Sequence, residues 1–302
     1  MRQKLVIFLL AGAMALLSAC AGQAEDGGSA PAPAEDSGQQ DDSSQAEDGT
    51  AGDSTQAEPS WAVTEGTHEY RGFTLDNVLH SEEQGDIHFN LYVPDSYDGS
   101  SPVPVFFTLP GYEGLYFQGV GENLYREDFG FTAQEYDPDM IIVAPQLSGW
   151  DEESADQTIA LVEYFLDAYN IDRERVYGEG YSGGGETMSR VMGKRPDLFT
   201  AYLQCSSQWD GDYEPVTESR TPVYIAVGED DEYYGSGPSR EAYEALRELY
   251  LQEGLSDQEI NELLVLDVKG ADYFESRGAS SQHGGGGFFA QDSEIMGWLF
   301  GK

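Results

Sequence analysis

The amino-acid sequence predicts an α/β fold with a mainly parallel central sheet, helices on both faces and an N-terminal antiparallel hairpin. Two observations lead to this prediction. Over most of residues 61–302, short apolar runs of strand length alternate with helix-periodic segments, a pattern typical of parallel strands joined by helical crossovers. Before the first crossover, Ile87, Phe89, Leu91 and Val93 recur at every second residue, which indicates a strand of an antiparallel hairpin.

Each element follows from its own local pattern. Period-two alternation predicts the hairpin over Thr67–Leu79 and Asp86–Val93. Apolar runs predict strands at Val103–Leu109, Met140–Ala144, Arg175–Tyr177, Phe199–Cys205, Val223–Val227 and Leu263–Val268. Helical spacing and helix-boundary residues predict helices at Asp156–Tyr169, Gly183–Lys194, Ser239–Glu253 and Asp292–Phe300. Residues 61–302 are long enough for one large domain.

Composition excludes several classes of protein. The chain has 302 residues, with 15 Lys and Arg against 56 Asp and Glu, and a formal net charge of -41. A nucleic-acid binder needs a basic surface, which this charge does not supply. Two cysteines close at most one disulfide, and with four histidines they offer few ligands for a zinc cluster. A hydrophobic content of 39% is sufficient for a packed core and argues against global disorder.

Residues 1–20 have the pattern of a signal peptide. Arg2 and Lys4 form a positive start, and the apolar run over residues 5–17 is short for a membrane span. The run ends in Leu17-Ser18-Ala19-Cys20, which resembles the lipobox of bacterial lipoproteins. The resemblance implies cleavage before Cys20, lipidation of its thiol and anchoring at the extracytoplasmic face of the cell membrane. The alternative is an ordinary secretory signal with a coincidental cysteine.

Residues 21–60 are predicted to be a disordered acidic tether. They contain ten acidic residues and no Lys or Arg, and are otherwise mostly Gly, Ala, Ser, Gln and Pro. Such a segment cannot bury enough apolar surface to offset its chain entropy. Like charges along it favour an extended spacer between a membrane anchor and a folded domain. Residues 61–302 still carry a net charge of -33, so most of the acidity belongs to the folded domain.

The most specific local signal is Gly180-Tyr181-Ser182-Gly183-Gly184, between a predicted strand and a predicted helix. G-x-S-x-G occurs by chance in Gly-rich chains, but the strand–turn–helix setting is that of a nucleophile elbow. In such a turn a strained serine projects its hydroxyl from the sheet, and flanking glycines avoid Cβ clashes. The helix start also directs amide hydrogens toward a developing oxyanion. Ser182 is therefore the candidate nucleophile; the alternative is a Gly-rich loop that closes a strand.

A serine hydroxyl needs a base, and the candidate is His283. The other three histidines lie in the predicted hairpin region, upstream of the parallel strands. His283 lies after the last predicted strand and before the last predicted helix, and four glycines follow it. These glycines would let the loop bring the imidazole onto Ser182. The alternative is a loop histidine between glycines.

The motif around Ser182, the downstream His283 and an acidic loop between them together resemble the α/β-hydrolase superfamily, over essentially all of residues 61–302. Within it the chain is similar to bacterial esterases of the polyhydroxybutyrate depolymerase, feruloyl esterase and acetylxylan esterase type. It is also similar to the catalytic domain of prolyl-oligopeptidase-like serine hydrolases. The resemblance implies the α/β-hydrolase fold, a triad in the chain order Ser, Asp, His, no cofactor and no metal.

The triad acid is sought in the loop Glu229-Asp230-Asp231-Glu232, which follows the predicted strand Val223–Val227. Charge alone does not rank four neighbouring carboxylates. In the fold that the chain resembles, the acid often sits three residues past a strand-terminal glycine, which selects Asp231. Asp230 and Glu232 are alternatives, and Asp210 is a remoter one. The acid would hold the imidazole in its useful tautomer and stabilise its cation.

The resemblance also implies an oxyanion hole built from the amide of Gly183 and a second amide in the loop after the third strand. That loop reads Leu109-Pro110-Gly111-Tyr112. Many relatives have His-Gly where Pro110-Gly111 stands. The amide of Tyr112 is the candidate donor, and Gly111 would permit close approach.

These observations predict an extracytoplasmic, lipid-anchored serine hydrolase that cleaves carboxylic esters of small molecules or carbohydrates. Tyr112, Trp150, Tyr181 and Trp209 are the candidate substrate-binding residues, because sugar rings and aromatic acyl groups pack on such side chains; alternatively, they pack against the fold. Acidic surroundings favour a neutral or cationic ester. The alternatives are a peptidase of the same fold and a non-catalytic binding lipoprotein on a hydrolase scaffold.

Overall fold

The computed structural model describes residues 61–112, 119, 121–147, 149 and 151–302, and within them one ten-stranded sheet. The strands are β1 (Ala62–Thr64), β2 (His68–Tyr70), β3 (Phe73–Ser81), β4 (Gly85–Tyr92), β5 (Val103–Leu109), β6 (Ile141–Gln146), β7 (Ile171–Tyr181), β8 (Ala201–Cys205), β9 (Val223–Gly228) and β10 (Leu264–Lys269). The sheet order is β1-β3-β4-β6-β5-β7-β8-β9-β10, with β2 paired to β3. Strands β5 to β10 are parallel, whereas β1 to β4 are antiparallel to their neighbours.

Helices cover both faces of this sheet. They are α1 (Glu122–Arg126), α2 (Phe129–Tyr136), α3 (Glu152–Ala168), α4 (Gly183–Lys194), α5 (Glu214–Ser219), α6 (Gly237–Gln252), α7 (Asp257–Leu263), α8 (Ala271–Glu275) and α9 (Ser293–Phe300), with 3₁₀ segments at Pro196–Leu198 and Gly284–Gln291. The buried faces of α3, α4 and α6 form one core, and those of α2 and α9 form the other. The predicted α/β architecture is confirmed. Of the helices described, none is both long and apolar enough to cross a bilayer.

The central strand β5 shows why the sheet is buried on both sides. Val105 and Phe107 point into the core beneath α3 and α4, while Phe106 points into the opposite core. A strand covered by helices on both faces needs apolar residues at every position, and the continuous run Val103–Leu109 meets this need. The bounds predicted for this strand and for the helix Gly183–Lys194 agree with the structure.

The structure differs from the predicted hairpin at one turn. The segment Thr67–Leu79 was predicted as one strand, but β2 and β3 are separated at Arg71 and Gly72, which have φ angles of 49° and 88°. Positive φ ends an extended strand, and β2 folds back onto β3. Period-two alternation does not reveal this reversal, because β2 has only three residues and shows no alternation of its own.

The short elements β1, α1, α2, α5, α7 and α8 were not predicted. Each helix among them has five to eight residues, too few turns to show a clear helical periodicity. One signal was present: Ser256 and Glu259 form a capping box at the start of α7, the S-x-x-E pattern of a helix N-terminus. The predicted signal peptide (1–20) and tether (21–60) lie outside the described residues.

Sheet topology selects where a site can form. The chain passes from β5 to β6 on one side of β5, and β7 then lies on the other side. The loops after β5 and β7 therefore leave the sheet side by side but in opposite directions, which opens a crevice at the carboxyl ends of the strands. The candidate nucleophile follows β7, and the acidic loop follows β9.

Candidate active site

Ser182 forms a strained turn between β7 and α4. Its φ of 53° and ψ of -120° lie outside the regions that side chains with a Cβ normally adopt. Such strain persists where surrounding contacts hold it, and here the Ser182 amide donates to the carbonyl of Cys205 on β8 at 2.9 Å. The sharp turn expected of a nucleophile elbow is thus present in the backbone.

Glycine at position 184 lets two segments of the site touch. A Cβ on Gly184 would collide with the carbonyl oxygens of Leu109 and Pro110. The start of α4 therefore lies directly against the loop after β5. This contact brings together the two segments that carry the predicted oxyanion donors, the amides of Gly183 and Tyr112.

Three side chains from distant parts of the chain form a hydrogen-bonded series. His283 Nε2 lies 3.1 Å from Ser182 Oγ, and His283 Nδ1 lies 2.8 Å from Asp231 Oδ2. The Asp231 side chain has no exposed surface. In this arrangement a hydroxyl faces one imidazole nitrogen while a carboxylate holds the other, the geometry of a serine nucleophile with its base and orienting acid.

The environment of Asp231 keeps its carboxylate ionised. Burial raises the pKa of Asp231, but the hydrogen bond with His283 and those from the amides of Tyr234 and Tyr233 outweigh it, so the pKa lies below its usual value. Both amides donate to Oδ1 at 2.9 Å. One oxygen of the Asp231 carboxylate thus accepts hydrogen bonds from the loop amides, and the other is hydrogen-bonded to the imidazole.

The alternative acids have other partners. The amide of Asp230 donates to the Gln282 side chain at 2.8 Å, and Asp210 pairs with Arg190 at 3.2 Å. Glu232 accepts the amide hydrogens of Gln282 and His283, each at 2.9 Å. These backbone hydrogen bonds lower the pKa of Glu232. Glu232 therefore holds the main chain beneath the imidazole, while Asp231 holds the ring.

Three tyrosine rings surround His283. Tyr181 stacks with the imidazole at a centroid distance of 5.9 Å, and Tyr233 lies at 5.2 Å. Tyr234 approaches edge-on at 5.5 Å. The hydroxyl of Tyr181 also donates to the carbonyl of His283 at 2.7 Å. These ring contacts and the hydrogen bond from Tyr181 fix the position and the orientation of the imidazole.

Two of the predicted substrate-binding residues are packing residues. Trp209 is 9% exposed and stacks on Tyr213 in the core beneath α4. Tyr181 is also 9% exposed and is occupied by His283. Neither ring offers an open face for a substrate, because the fold already covers it. Both positions fit the alternative that these aromatic side chains pack against the fold.

The other predicted aromatic residues have different positions. Tyr112 is 48% exposed at the end of the loop after β5, and Trp150 lies outside the described residues. Tyr233, which was not among the selected binding residues, is 72% exposed beside His283. The open aromatic surface at the site thus includes Tyr233.

The loop after β5 is held from below by Glu127, which accepts the amide hydrogen of Gly111 at 2.9 Å. A Cβ on Gly111 would be 3.0 Å from the Tyr181 ring, so glycine permits this close approach. The next residue in this loop, Tyr112, is exposed. Its amide and that of Gly183 lie on adjoining segments; their role in oxyanion binding stays a prediction.

Sequence reasoning missed two buried carboxyl groups near the nucleophile. Glu179, on β7, accepts a hydrogen bond from Thr108 at 2.7 Å, and burial with the charge of Glu127 raises its pKa well above its usual value. Glu186, in the first turn of α4, accepts one from the Tyr234 hydroxyl at 2.9 Å. Burial raises the pKa of Glu186. The available signal was an acid inside an apolar strand and another inside the buried start of a helix.

Known proteins resemble this chain in sequence and in fold. Residues 148–261 match the prolyl oligopeptidase family. Feruloyl esterase B of Thermothelomyces thermophilus is 30% identical over 129 residues, which is 38% of this chain and 42% of that protein. The chain thus spans less than half the length of this relative.

Solved structures show the same fold. A thermostable esterase superposes with a TM-score of 0.61 at 22% identity, over 76% of this chain and 63% of that one. Oligopeptidase B from Leishmania major superposes with a TM-score of 0.51 at 15% identity, over 76% of this chain and 36% of that one. The chain therefore has the α/β-hydrolase fold, and part of its sequence is similar to serine hydrolases of the prolyl oligopeptidase and feruloyl esterase type.

Proposed function

We propose that this protein hydrolyses carboxylic esters through an acyl-enzyme on Ser182. The observation that carries the proposal is the hydrogen-bonded series Asp231–His283–Ser182, with a strained serine at one end and a buried, ionised carboxylate at the other. A non-catalytic scaffold has no requirement to hold these three groups in this geometry. The esterase among its sequence relatives supports esters as the substrate class.

In the acylation half of the reaction, Ser182 Oγ attacks the ester carbonyl and His283 Nε2 takes the hydroxyl proton. The carbon–oxygen double bond becomes an oxyanion, which the amides of Gly183 and Tyr112 would stabilise. When the intermediate collapses, the bond to the leaving alcohol breaks and His283 returns the proton to that alcohol. Asp231 stabilises the transient imidazolium throughout.

In the deacylation half, a water molecule replaces the alcohol. His283 takes one of its protons, the water oxygen bonds to the acyl carbon, and the bond to Ser182 Oγ breaks as the proton passes to the serine. The carboxylic acid leaves and the resting enzyme is restored. Every step uses groups that the chain itself supplies.

The first experiment measures turnover of p-nitrophenyl acetate and labelling by a fluorophosphonate probe, with Ser182→Ala as the control. We expect both signals in the wild type and neither in the variant. Equal behaviour of the two proteins, with no turnover and no labelling, would rule out the esterase.

A second candidate is a peptidase, favoured by the match of residues 148–261 to the prolyl oligopeptidase family. The same acyl-enzyme chemistry cleaves a peptide when the leaving group is an amine. A panel of proline-containing peptides beside alkyl and carbohydrate-linked esters separates the two. Efficient peptide cleavage with little ester turnover would favour the peptidase.

We further propose that the protein is a lipoprotein at the extracytoplasmic face of the cell membrane, attached through Cys20. The proposal is supported by the sequence pattern before Cys20 and by the acidic composition of residues 21–60. Expression in a bacterium fed labelled palmitate should label the wild type and place it in the membrane fraction. Cys20→Ser should lose both. Retention of label in the variant would contradict this assignment.

A further inference from the structure

Tyr234 contacts Asp231 and His283 of the proposed triad. Its amide donates to Asp231 Oδ1 at 2.9 Å, and its ring lies 5.5 Å from the imidazole of His283. An interaction between its hydroxyl and the Ser182 side chain acts to lower the pKa of Tyr234. The same hydroxyl donates to Glu186 Oε1 at 2.9 Å. A phenol oxygen is therefore held beside the nucleophile by a carboxylate on α4.

The direction of these hydrogen bonds limits what Tyr234 can do. A phenol has one hydrogen, and here it is directed to Glu186, whose side chain is only 6% exposed. Toward any further partner the phenol oxygen can then only accept a hydrogen bond. Burial and the charge of Glu186 raise the pKa of Tyr234, so the phenol keeps its hydrogen at neutral pH.

The two half-reactions use such an acceptor differently. The hydroxyl of Ser182 has one hydrogen, which must point to His283 Nε2 during acylation. Water in deacylation has two hydrogens, of which His283 takes one. The second can be held by an acceptor near the imidazole. The Tyr234 oxygen is such an acceptor, because its ring lies 5.5 Å from the imidazole and its hydroxyl is bound to Glu186 in the first turn of the helix that follows Ser182.

We propose that Tyr234 is a further catalytic residue, which accepts the second hydrogen of the hydrolytic water and thereby aims its lone pair at the acyl carbon. This inference rests on the proposed ester hydrolysis. Glu186 is the positioning residue that fixes the direction of the phenol hydrogen. The second water hydrogen stays on its oxygen and leaves in the carboxylic acid, so Tyr234 neither gains nor loses a proton.

The test separates the two half-reactions by stopped-flow measurement of p-nitrophenyl acetate cleavage by the full chain. In Tyr234→Phe the ring remains and only the hydroxyl is lost. We expect the first-turnover release of p-nitrophenol to stay near the wild-type rate. The steady-state rate should fall about tenfold, the effect of one hydrogen bond in the transition state. An acetyl group on Ser182 should accumulate and be visible by mass spectrometry.

Matched variants isolate the hydroxyl. Tyr169→Phe removes a tyrosine hydroxyl in the core at the end of α3 and should leave both phases unchanged. Glu186→Met should slow deacylation as Tyr234→Phe does, because the phenol hydrogen becomes free to turn toward the serine. Glu186→Gln keeps an acceptor oxygen and should restore most of the deacylation rate. Glu186→Met also carries the test if circular dichroism shows Tyr234→Phe unfolded.

Two results would overturn the role of Tyr234: wild-type steady-state turnover in Tyr234→Phe, or an equal fall in both phases. The first means that the hydroxyl is not needed, and the second that it acts on the serine. Neither result resembles failure of the esterase proposal, in which the wild type itself gives no first-turnover release and no adduct.

Discussion

The contacts and the pKa of each side chain in this site depend on the groups that surround it. Asp231 has close chemical neighbours in Asp230 and Glu232, yet it alone of these three contacts the imidazole in the described part of the chain. Its pKa falls because three hydrogen-bond donors outweigh the effect of burial. Adjacent carboxylates therefore differ in the groups that they contact, not in their charge.

At the residue scale, Asp231→Asn should lower turnover of p-nitrophenyl acetate about 10⁴-fold, as in serine-protease triads. The amide keeps the size of the carboxylate but holds the imidazole in the wrong tautomer. Asp230→Asn is the matched control and should retain wild-type turnover. Nearly normal turnover in Asp231→Asn, together with an inactive Asp230→Asn, would mean that the triad acid is Asp230 and not Asp231.

Two loops act as one element around His283. The loop after β9 holds the loop of His283 through Asp231 and through Glu232, whose carboxylate accepts two backbone amide hydrogens. The pKa values of both carboxyls lie below their usual values, through hydrogen bonds from the His283 loop together with those that Asp231 receives within its own loop. Ionised carboxylates thus stabilise the loop that carries His283.

This linkage predicts a pH dependence at the element scale. A lowered pKa in the folded protein means that the stabilisation is present above the unfolded-state pKa of about 4.3 and is lost as pH falls through the folded-state pKa. Glu232→Gln should therefore lower the melting temperature by a few degrees at pH 7. The difference from wild type should shrink below about pH 4. A difference that is constant between pH 3 and pH 7 would contradict the linkage.

The turn between β7 and α4 gives a second element-scale prediction. Gly184→Ala would place a methyl group against the carbonyl oxygens of Leu109 and Pro110, which cannot move without shifting β5. We expect a loss of roughly 1–3 kcal/mol of stability and a loss of probe labelling at Ser182. Gly287→Ala is the control, since no atom lies within 4 Å of its added Cβ. Equal melting temperatures for the two variants would refute the steric argument.

At the scale of the whole molecule, charge is the dominant property. Residues 61–302 carry a net charge of -33, and carboxylates such as Glu186, Asp230 and Glu232 lie around the proposed site. A field of one sign attracts cationic substrates and repels anionic ones, and salt screens it over about 10 Å at 0.1 M.

A choline ester should therefore have a several-fold higher kcat/KM than a hemisuccinate ester of similar reactivity at low ionic strength. The ratio should fall toward one in 0.5 M NaCl. Because only the long-range field responds to salt, a ratio that salt leaves unchanged would assign the preference to direct contacts in the pocket.

The sequence by itself determined those parts of the protein that leave a local trace. Continuous apolar runs bounded by prolines predicted β5, and the glycines around Ser182 predicted its turn, because steric rules act over a few residues. Chain order then selected His283. Asp231 was selected among four carboxylates through a resemblance. The turn at Arg71 was not predicted, since β2 is too short to show a pattern of its own.

Only the tertiary structure decided which side chains meet across the fold. Glu186 and Tyr234 are 48 residues apart, and their contact depends on how α4 packs beside the loop after β9. Trp209 looked like a surface aromatic in sequence but is enclosed by Tyr213 and the core. Composition and spacing describe each segment separately, whereas a hydrogen bond or a buried ring depends on the packing of several segments at once, and this packing is set by the whole fold.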